Sequence, residues 1–242
     1  VTKSDLTVLT VVENDQGIFD LLIDSIYKFT DPVPHIIVCD QGRNKIMSKY
    51  RNDSNITIVS NKPTMAGGSN RHGEGLNKIF PMVSTLKTAI IESDCILLRK
   101  NWDHLTQHKM IAAPKGKDLY HICFVLFYTS VLERNGTIDF RPGKDGNRAN
   151  RPYQPHEDVG WQIKDKVKPD EIELMEFKDC KTGAGFYFDS SFQSDELWVE
   201  GQPTVAHFGR GSNISGKAVR KGFKHPNEQL VEWKKIAEGI IR

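Results

Sequence analysis

No stretch of the 242 residues approaches the roughly 20 consecutive apolar residues that a membrane helix needs; the longest apolar runs, such as residues 122–126, have the length of strands. A soluble chain without a transmembrane segment is expected. Neither sign of charge dominates: 33 Lys and Arg against 31 Asp and Glu leave a formal net charge of +2, so no strong field points to nucleic acid. Cysteine is scarce and scattered. Cys39, Cys95, Cys123 and Cys180 form no CxxC pair, and the first three lie in apolar contexts where a free thiol behaves as a small hydrophobe; a reducing compartment is expected. The opening Val-Thr-Lys-Ser-Asp lacks the charged-then-apolar layout of a signal peptide, so secretion is not expected and the cytoplasm is. Sequons at Asn52, Asn55, Asn135 and Asn213 are short patterns that arise by chance.

Several nucleotide and metal signatures are also missing. The glycines at Gly67-Gly68 and Gly183-Ala184-Gly185 lack the GK[ST] ending of a phosphate-binding loop and the GxGxxG spacing of a dinucleotide fingerprint. His104 and His108 are spaced i, i+4 but no acid joins them in an HExxH pattern, so they read as surface histidines. No Ser or Cys sits in a recognisable nucleophile elbow.

What is present is an alternation of short apolar runs and amphipathic segments. Residues 6–12, LTVLTVV, are β-branched with no helical period, which suits a strand buried on both faces. Residues 18–29 place Leu21, Leu22, Ser25 and Ile26 on neighbouring helical faces ahead of the Asp31-Pro32 break, and predict a helix. Strands at 35–40 and 56–61 follow, with a turn and short helix between them. This β-α-β-α-β order argues for an α/β fold with a mostly parallel sheet flanked by helices, whose ligands bind beyond the carboxyl ends of the strands. Residues 77–88 read as a helix begun or interrupted near Pro81, leading into a short buried strand that ends at Glu92 and Asp94. The Gly-, Asn-, Arg- and Pro-rich residues 135–155 read as a loop facing substrate. Beyond it come a short helix near 156–167, strands at 172–177 and 183–189, and a C-terminal amphipathic helix.

Three elements carry candidate chemistry. Glu92-Ser93-Asp94 is an acid-x-acid tripeptide at a strand end, suited to a hard divalent cation whose shell is completed by phosphate oxygens; alone it also reads as a solvated strand end. Glu157-Asp158 follows the loose loop and precedes Trp161. That is a place for a general base meeting an acceptor hydroxyl, although acids at a helix start also complement its dipole. His207, in HFGRGS, is followed by glycines that permit close backbone approach, although a lone histidine is more often structural.

Taken in order after the β-α-β-α-β start, these elements resemble the GT-A glycosyltransferases, most closely the inverting family 2, over most of the chain from Leu6 to about Ser212; compact chains of this size are similar to virus- or phage-encoded members. The resemblance implies a GT-A (Rossmann-like) fold in a single domain over 1–242. Residues 1–100 would be the nucleotide-binding half, 101–212 the acceptor and catalytic half and 213–242 a helical tail. It implies that Val12, Glu13, Asn14 and Asp40 clasp the nucleoside. Arg71, His72 and Asn77 would lie near the nucleotide or donor sugar, with Ser93 beside them. Asp94 would be the first metal ligand and His207 would complete the shell. Glu92 stands where the family commonly has Asp, and would contact ribose or metal. Imidazole tilts the metal towards Mn²⁺ over Mg²⁺. Asp158 would be the general base and Glu157 would orient donor or acceptor.

The implied activity is transfer of a sugar from a nucleotide diphosphate, UDP by default, to a hydroxyl of a glycan or glycoconjugate with inversion. For a viral member the compartment would be the host cytoplasm. Two other readings stay open. A sugar nucleotidyltransferase usually opens with a Gly- and Arg/Lys-rich loop after its first strand, where this chain has VVENDQGIFD. A catalytically degenerate nucleotide- or sugar-binding module is compatible with Glu at position 92.

Overall fold

The computed structural model describes residues 4–13, 17–42, 45–64, 68–104, 108–115, 119–134, 136–143, 158–209 and 226–242. In chain order its elements begin with β1 (Leu6–Val12), α1 (Phe19–Phe29), β2 (His35–Asp40), β3 (Ile56–Ser60), α2 (Gly68–Ile79), β4 (Lys87–Ile91) and β5 (Cys95–Leu97). They continue with β6 (Met110–Pro114), β7 (Tyr120–Tyr128), α3 (Thr129–Leu132), α4 (Ile163–Lys166), β8 (Ile172–Leu174) and β9 (Glu176–Asp179). The last three are β10 (Asp195–Val199), β11 (Gln202–His207) and α5 (Pro226–Ile241). The chain forms two compact units: Val1–Asp15, Asp31–Glu92 and Asp103–Leu174 make the first, and Gln16–Thr30, Ser93–Trp102 and Met175–Arg242 the second.

The first unit holds a seven-stranded sheet in the order β3-β2-β1-β4-β7-β6-β8. The β3-β2, β2-β1, β1-β4 and β6-β8 pairs are parallel, and β7 is antiparallel to both neighbours. This is the expected α/β class with its mostly parallel sheet. All seven residues of β1 are buried, which is why the run shows no polar alternation. Thr85 donates to the Thr7 hydroxyl at 2.7 Å, while the buried Thr10 hydroxyl has no hydrogen-bond partner among the described residues. Leu9, Ile37, Ile90, Val125, Phe127, Leu76 and Phe140 meet in one core cluster.

Helix α2 lies where the sequence pattern was weakest. The helix expected over 77–88 instead ends at Ile79, passes into a 3-10 turn over Phe80–Met82, and gives way to β4 at Lys87. Pro81 supplies no N–H to carry the helical ladder further. Upstream, the helix includes glycines that permit close packing. A Cβ on Gly73 would lie 2.6 Å from Arg141 Cα and 2.8 Å from the Phe140 carbonyl oxygen. Gly73→Ala is therefore expected to destabilise the protein by about 1–3 kcal/mol through overpacking against main chain, read from urea unfolding; a variant as stable as the parent would show that the 140–141 segment moves freely.

The second unit contains a four-stranded antiparallel sheet, β5-β11-β10-β9, and helices α1 and α5. Ile18, Leu21, Ile96, Phe188, Phe208 and Trp233 form its core, with Phe188 stacked on Trp233 at 5.1 Å between centroids. Ser25 sits on the buried face of α1 because its hydroxyl accepts the Leu97 amide at 3.0 Å and donates to the Leu22 carbonyl at 2.8 Å. The strand expected at 183–189 does not form. The amides of Phe186, Tyr187 and Phe188 instead donate to the buried carboxylate of Glu196, so they are unavailable to a strand partner.

All four cysteines are buried as thiols. Burial pushes the Cys39 and Cys180 thiols up to about 12, so neither is a nucleophile at neutral pH. No helix among the described residues is long and apolar enough to cross a membrane.

Candidate functional site

In the first unit the predicted residues gather at the carboxyl ends of parallel strands. Val12 ends β1 and is in register with Asp40, the buried last residue of β2. The Asp40 carboxylate accepts the Gly42 amide at 3.2 Å, fixing the turn that follows. Helix α2 contributes the cations. Arg71 Nη2 lies 2.5 Å from Glu13 Oε1, and His72 Nδ1 lies 3.4 Å from Glu92 Oε1. Glu13 with Arg71 and Glu92 with His72 are thus brought together. Asn14 lies outside the described residues.

Gln41 was not singled out from sequence, yet it is central to this cluster. Its side chain is buried, and its Nε2 donates to the Arg71 carbonyl at 2.6 Å. A Cβ on Gly75 would come within 2.8 Å of that nitrogen, so the helix needs glycine there. Gln41 Oε1, Arg71 Nε and His72 Nε2 are buried with no hydrogen-bond partner among the described residues. Each such atom costs about 1–3 kcal/mol if nothing ever reaches it. Their concentration beyond β1 and β2 marks a surface shaped for a polar ligand, at the position where open α/β sheets bind them.

Asn77 is used differently. Its amide donates to Asp139 at 2.6 Å and accepts the Phe140 amide at 2.9 Å, so both ends hold the 139–140 segment. Burial pushes the Asp139 carboxyl up, but hydrogen bonds from Arg141 and Asn77 outweigh it and hold the group below its ordinary range. The contact of Asn77 is therefore structural.

Asp158 is buried in the first unit, where it pairs with Lys115. Lys115 Nζ reaches Oδ2 at 2.7 Å, and Oδ1 accepts the Val159 amide at 2.8 Å. A carboxylate fixed at both oxygens by hydrogen bonds is held in one orientation. Its neighbour Glu157, like residues 144–156, lies outside the described residues.

In the second unit Ser93 and Asp94 precede β5, and β5 pairs with β11 so that Cys95 is in register with His207. The Phe208 amide donates to the Asp94 carbonyl at 2.9 Å. This pairing brings Asp94 Oδ1 to 3.5 Å from His207 Nε2. Asp94, Cys95 and His207 offer one ligand atom each, all within 4.8 Å of one another. Carboxylate and imidazole together suit Mn²⁺ or another first-row divalent ion, so the residues present fit the expected cation. Ser93 is half-buried beside Asp94.

No family model matches the chain, and no curated protein matches it. Among solved structures it is similar to TarS 1-349 of S. aureus in complex with UDP-GlcNAc, at 13% identity and TM-score 0.48 over 72% of this chain and 56% of that one. It is also similar to the mannosyltransferase PcManGT from Pyrobaculum calidifontis in complex with GDP-Man and Mn²⁺, at 13% identity and TM-score 0.45 over 60% of this chain and 50% of that one. A third is glucosyl-3-phosphoglycerate synthase from Mycobacterium tuberculosis, at 15% identity and TM-score 0.45 over 70% and 68% of the two chains. The chain thus spans about half the length of the first two.

Proposed function

We propose that the chain is a metal-dependent glycosyltransferase that moves a sugar from a nucleotide diphosphate, UDP by preference, to an acceptor hydroxyl with inversion. The observation that carries this reading is the convergence of Asp94 and His207, remote in sequence, at 3.5 Å in the second unit. The unpartnered buried atoms of Gln41, Arg71 and His72 support it from the first unit. In this reading residues 1–242 act as one catalytic domain, with the nucleotide held mainly by residues 1–100, acceptor and catalysis by 101–212, and a helical tail over 213–242.

Asp94 and His207 hold Mn²⁺ or Mg²⁺, with Glu92, two residues before Asp94, contacting ribose or metal. When bound, the cation neutralises charge on a leaving diphosphate. Asp40 accepts hydrogen bonds from the nucleoside, Val12, Glu13, Asn14 and Ser93 line its seat, and Arg71 and His72 donate to it. Glu157 orients donor or acceptor. The carboxylate of Asp158 takes the acceptor hydroxyl's proton as that oxygen bonds to the anomeric carbon and the bond from carbon to the diphosphate oxygen breaks. The acceptor is a glycan or glycoconjugate.

Asp94→Ala tests the ligand assignment. Because loss of outer-shell partners alone lowers metal affinity by roughly 10- to 100-fold, loss of Asp94 is expected to weaken Mn²⁺ binding by more than about 100-fold. Electron paramagnetic resonance of free Mn²⁺ reads this directly. A variant that binds Mn²⁺ like the parent removes Asp94 from the metal shell.

One observation favours a second reading, a catalytically degenerate nucleotide- or sugar-binding module: Lys115 already occupies Asp158 at 2.7 Å. Slow hydrolysis of the donor sugar separates the two, since only a live site turns it over.

A further inference from the structure

His207 is flanked by a second carboxylate that the sequence did not bring forward. Asp195 opens β10 and is the direct cross-strand partner of His207 on β11, so both side chains rise from the same face of the sheet. The Asp195 Oδ2 to His207 Nδ1 separation is 3.5 Å, the same as that from Nε2 to Asp94 Oδ1 on the other side of the ring. These are ion-pair distances, longer than a normal N–H···O bond. The three side chains are only 7%, 16% and 17% exposed for His207, Asp195 and Asp94.

The rest of the environment fixes the ring. Gly209 has φ +62°, and a Cβ there would lie 3.2 Å from His207 Cε1, 3.3 Å from Nδ1 and 3.5 Å from Asp195 Oδ2. Main chain therefore closes the edge between Nδ1 and Cε1, and a side chain at this position would crowd both partners. The Asp195 backbone is held on both sides, by β11 through His207 and by β9 through Asp179. Neither partner of the imidazole sits on a loose loop.

We propose that Asp195 is a positioning residue that keeps the proton of neutral His207 on Nδ1, so that the Nε2 lone pair faces the cation beside Asp94. This rests on the metal reading above. A neutral imidazole carries one N–H and one lone pair, and the partner of one nitrogen decides which nitrogen is free to ligate. A carboxylate opposite Nδ1 stabilises the N–H there, raises the basicity of Nε2 and sets the plane of the ring. Two carboxylates converging on one imidazole also leave excess negative charge that a divalent cation at Nε2 relieves.

The experiment uses the full chain and Asp195→Asn, a nearly isosteric change. Nitrogen-15 correlation spectra of metal-free protein, recorded at a pH high enough to hold the ring neutral and with the His207 signal assigned through its loss in His207→Gln, report the tautomer. Free Mn²⁺ resonance reports affinity. The expected results are an Nδ1–H tautomer in the parent, and a roughly 10- to 100-fold loss of Mn²⁺ affinity in Asp195→Asn with unchanged far-ultraviolet circular dichroism. An Nε2–H tautomer of the neutral ring in the parent overturns the proposal, a measurement that stands even if the variant fails to fold. Parent-like Mn²⁺ binding by Asp195→Asn also overturns it while leaving the metal reading intact. A parent that binds no Mn²⁺ overturns the metal reading itself.

Discussion

Asp158→Asn is expected to lower sugar transfer by about 10²- to 10⁴-fold, the usual contribution of a positioned general base, while donor binding stays close to that of the parent. The amide keeps the shape of the carboxylate but cannot accept the acceptor's proton. The geometry makes the test clean, because Oδ1 is held by the adjacent Val159 amide and Oδ2 by Lys115. An isosteric replacement leaves the backbone of the turn before Val159 in place. Steady-state transfer measured beside nucleotide titration separates the two effects, and full activity in the variant would remove Asp158 from the mechanism. A loss of donor binding equal to the loss of rate would instead assign Asp158 to the donor seat.

Glu196→Ala is expected to destabilise the second unit by on the order of 3–5 kcal/mol. The side chain is fully buried. Its two oxygens accept the amides of Phe186 and Tyr187 at 2.7 Å each, the Phe188 amide at 3.0 Å and the Trp198 indole N–H at 3.1 Å. Hydrogen bonds to a charged group contribute about 1.5–3 kcal/mol, and buried donors left unpaired cost about 1–3 kcal/mol each; the outermost of these amides recovers part of its loss from water. Phe188 also stacks on Trp233 in the core, so loss of the anchor spreads inward. Urea unfolding gives the magnitude and near-ultraviolet circular dichroism reports the Trp198 environment. A change under about 0.5 kcal/mol would mean that this loop holds its shape without the carboxylate.

The parallel half of the fold was legible because its strands are continuous β-branched runs. Residues 6–12 are buried throughout, as a run without polar alternation predicts. Once those strands were placed, the acids at their ends followed, and Asp40, Glu92 and Asp94 could be named. Helix α2 was placed too far along the chain because its first turns carry Gly73 and Gly75, which give no apolar period; both positions are closely approached by a main-chain or side-chain neighbour far away in sequence. The supposed strand at 183–189 failed for a similar reason, since its amides answer to Glu196 and not to a neighbouring strand. The antiparallel sheet of the second unit joins segments as distant as Cys95–Leu97 and Gln202–His207, and no local period announces such a pairing.

The same distinction holds within the candidate site. His207 was visible as a histidine before glycines, but Asp195 was only one acid in a mixed strand until its register with His207 was seen. Gln41 gave no signal beyond following Asp40, because its importance lies in one buried oxygen and in the Arg71 carbonyl that orients its nitrogen. Asn77, chosen from the motif, turned out to be occupied at both ends of its amide. Residue type at a strand end is a sequence property; hydrogen-bond satisfaction is a property of the fold.

The central claim is that the chain binds a nucleotide diphosphate through a divalent cation. Isothermal titration with UDP, GDP and dTDP, each with and without Mn²⁺, tests it most directly. The account predicts binding of one nucleotide, UDP by preference, that is lost when Mn²⁺ is withheld. Absence of binding by all three with Mn²⁺ present, or UDP binding indifferent to the metal, would contradict it.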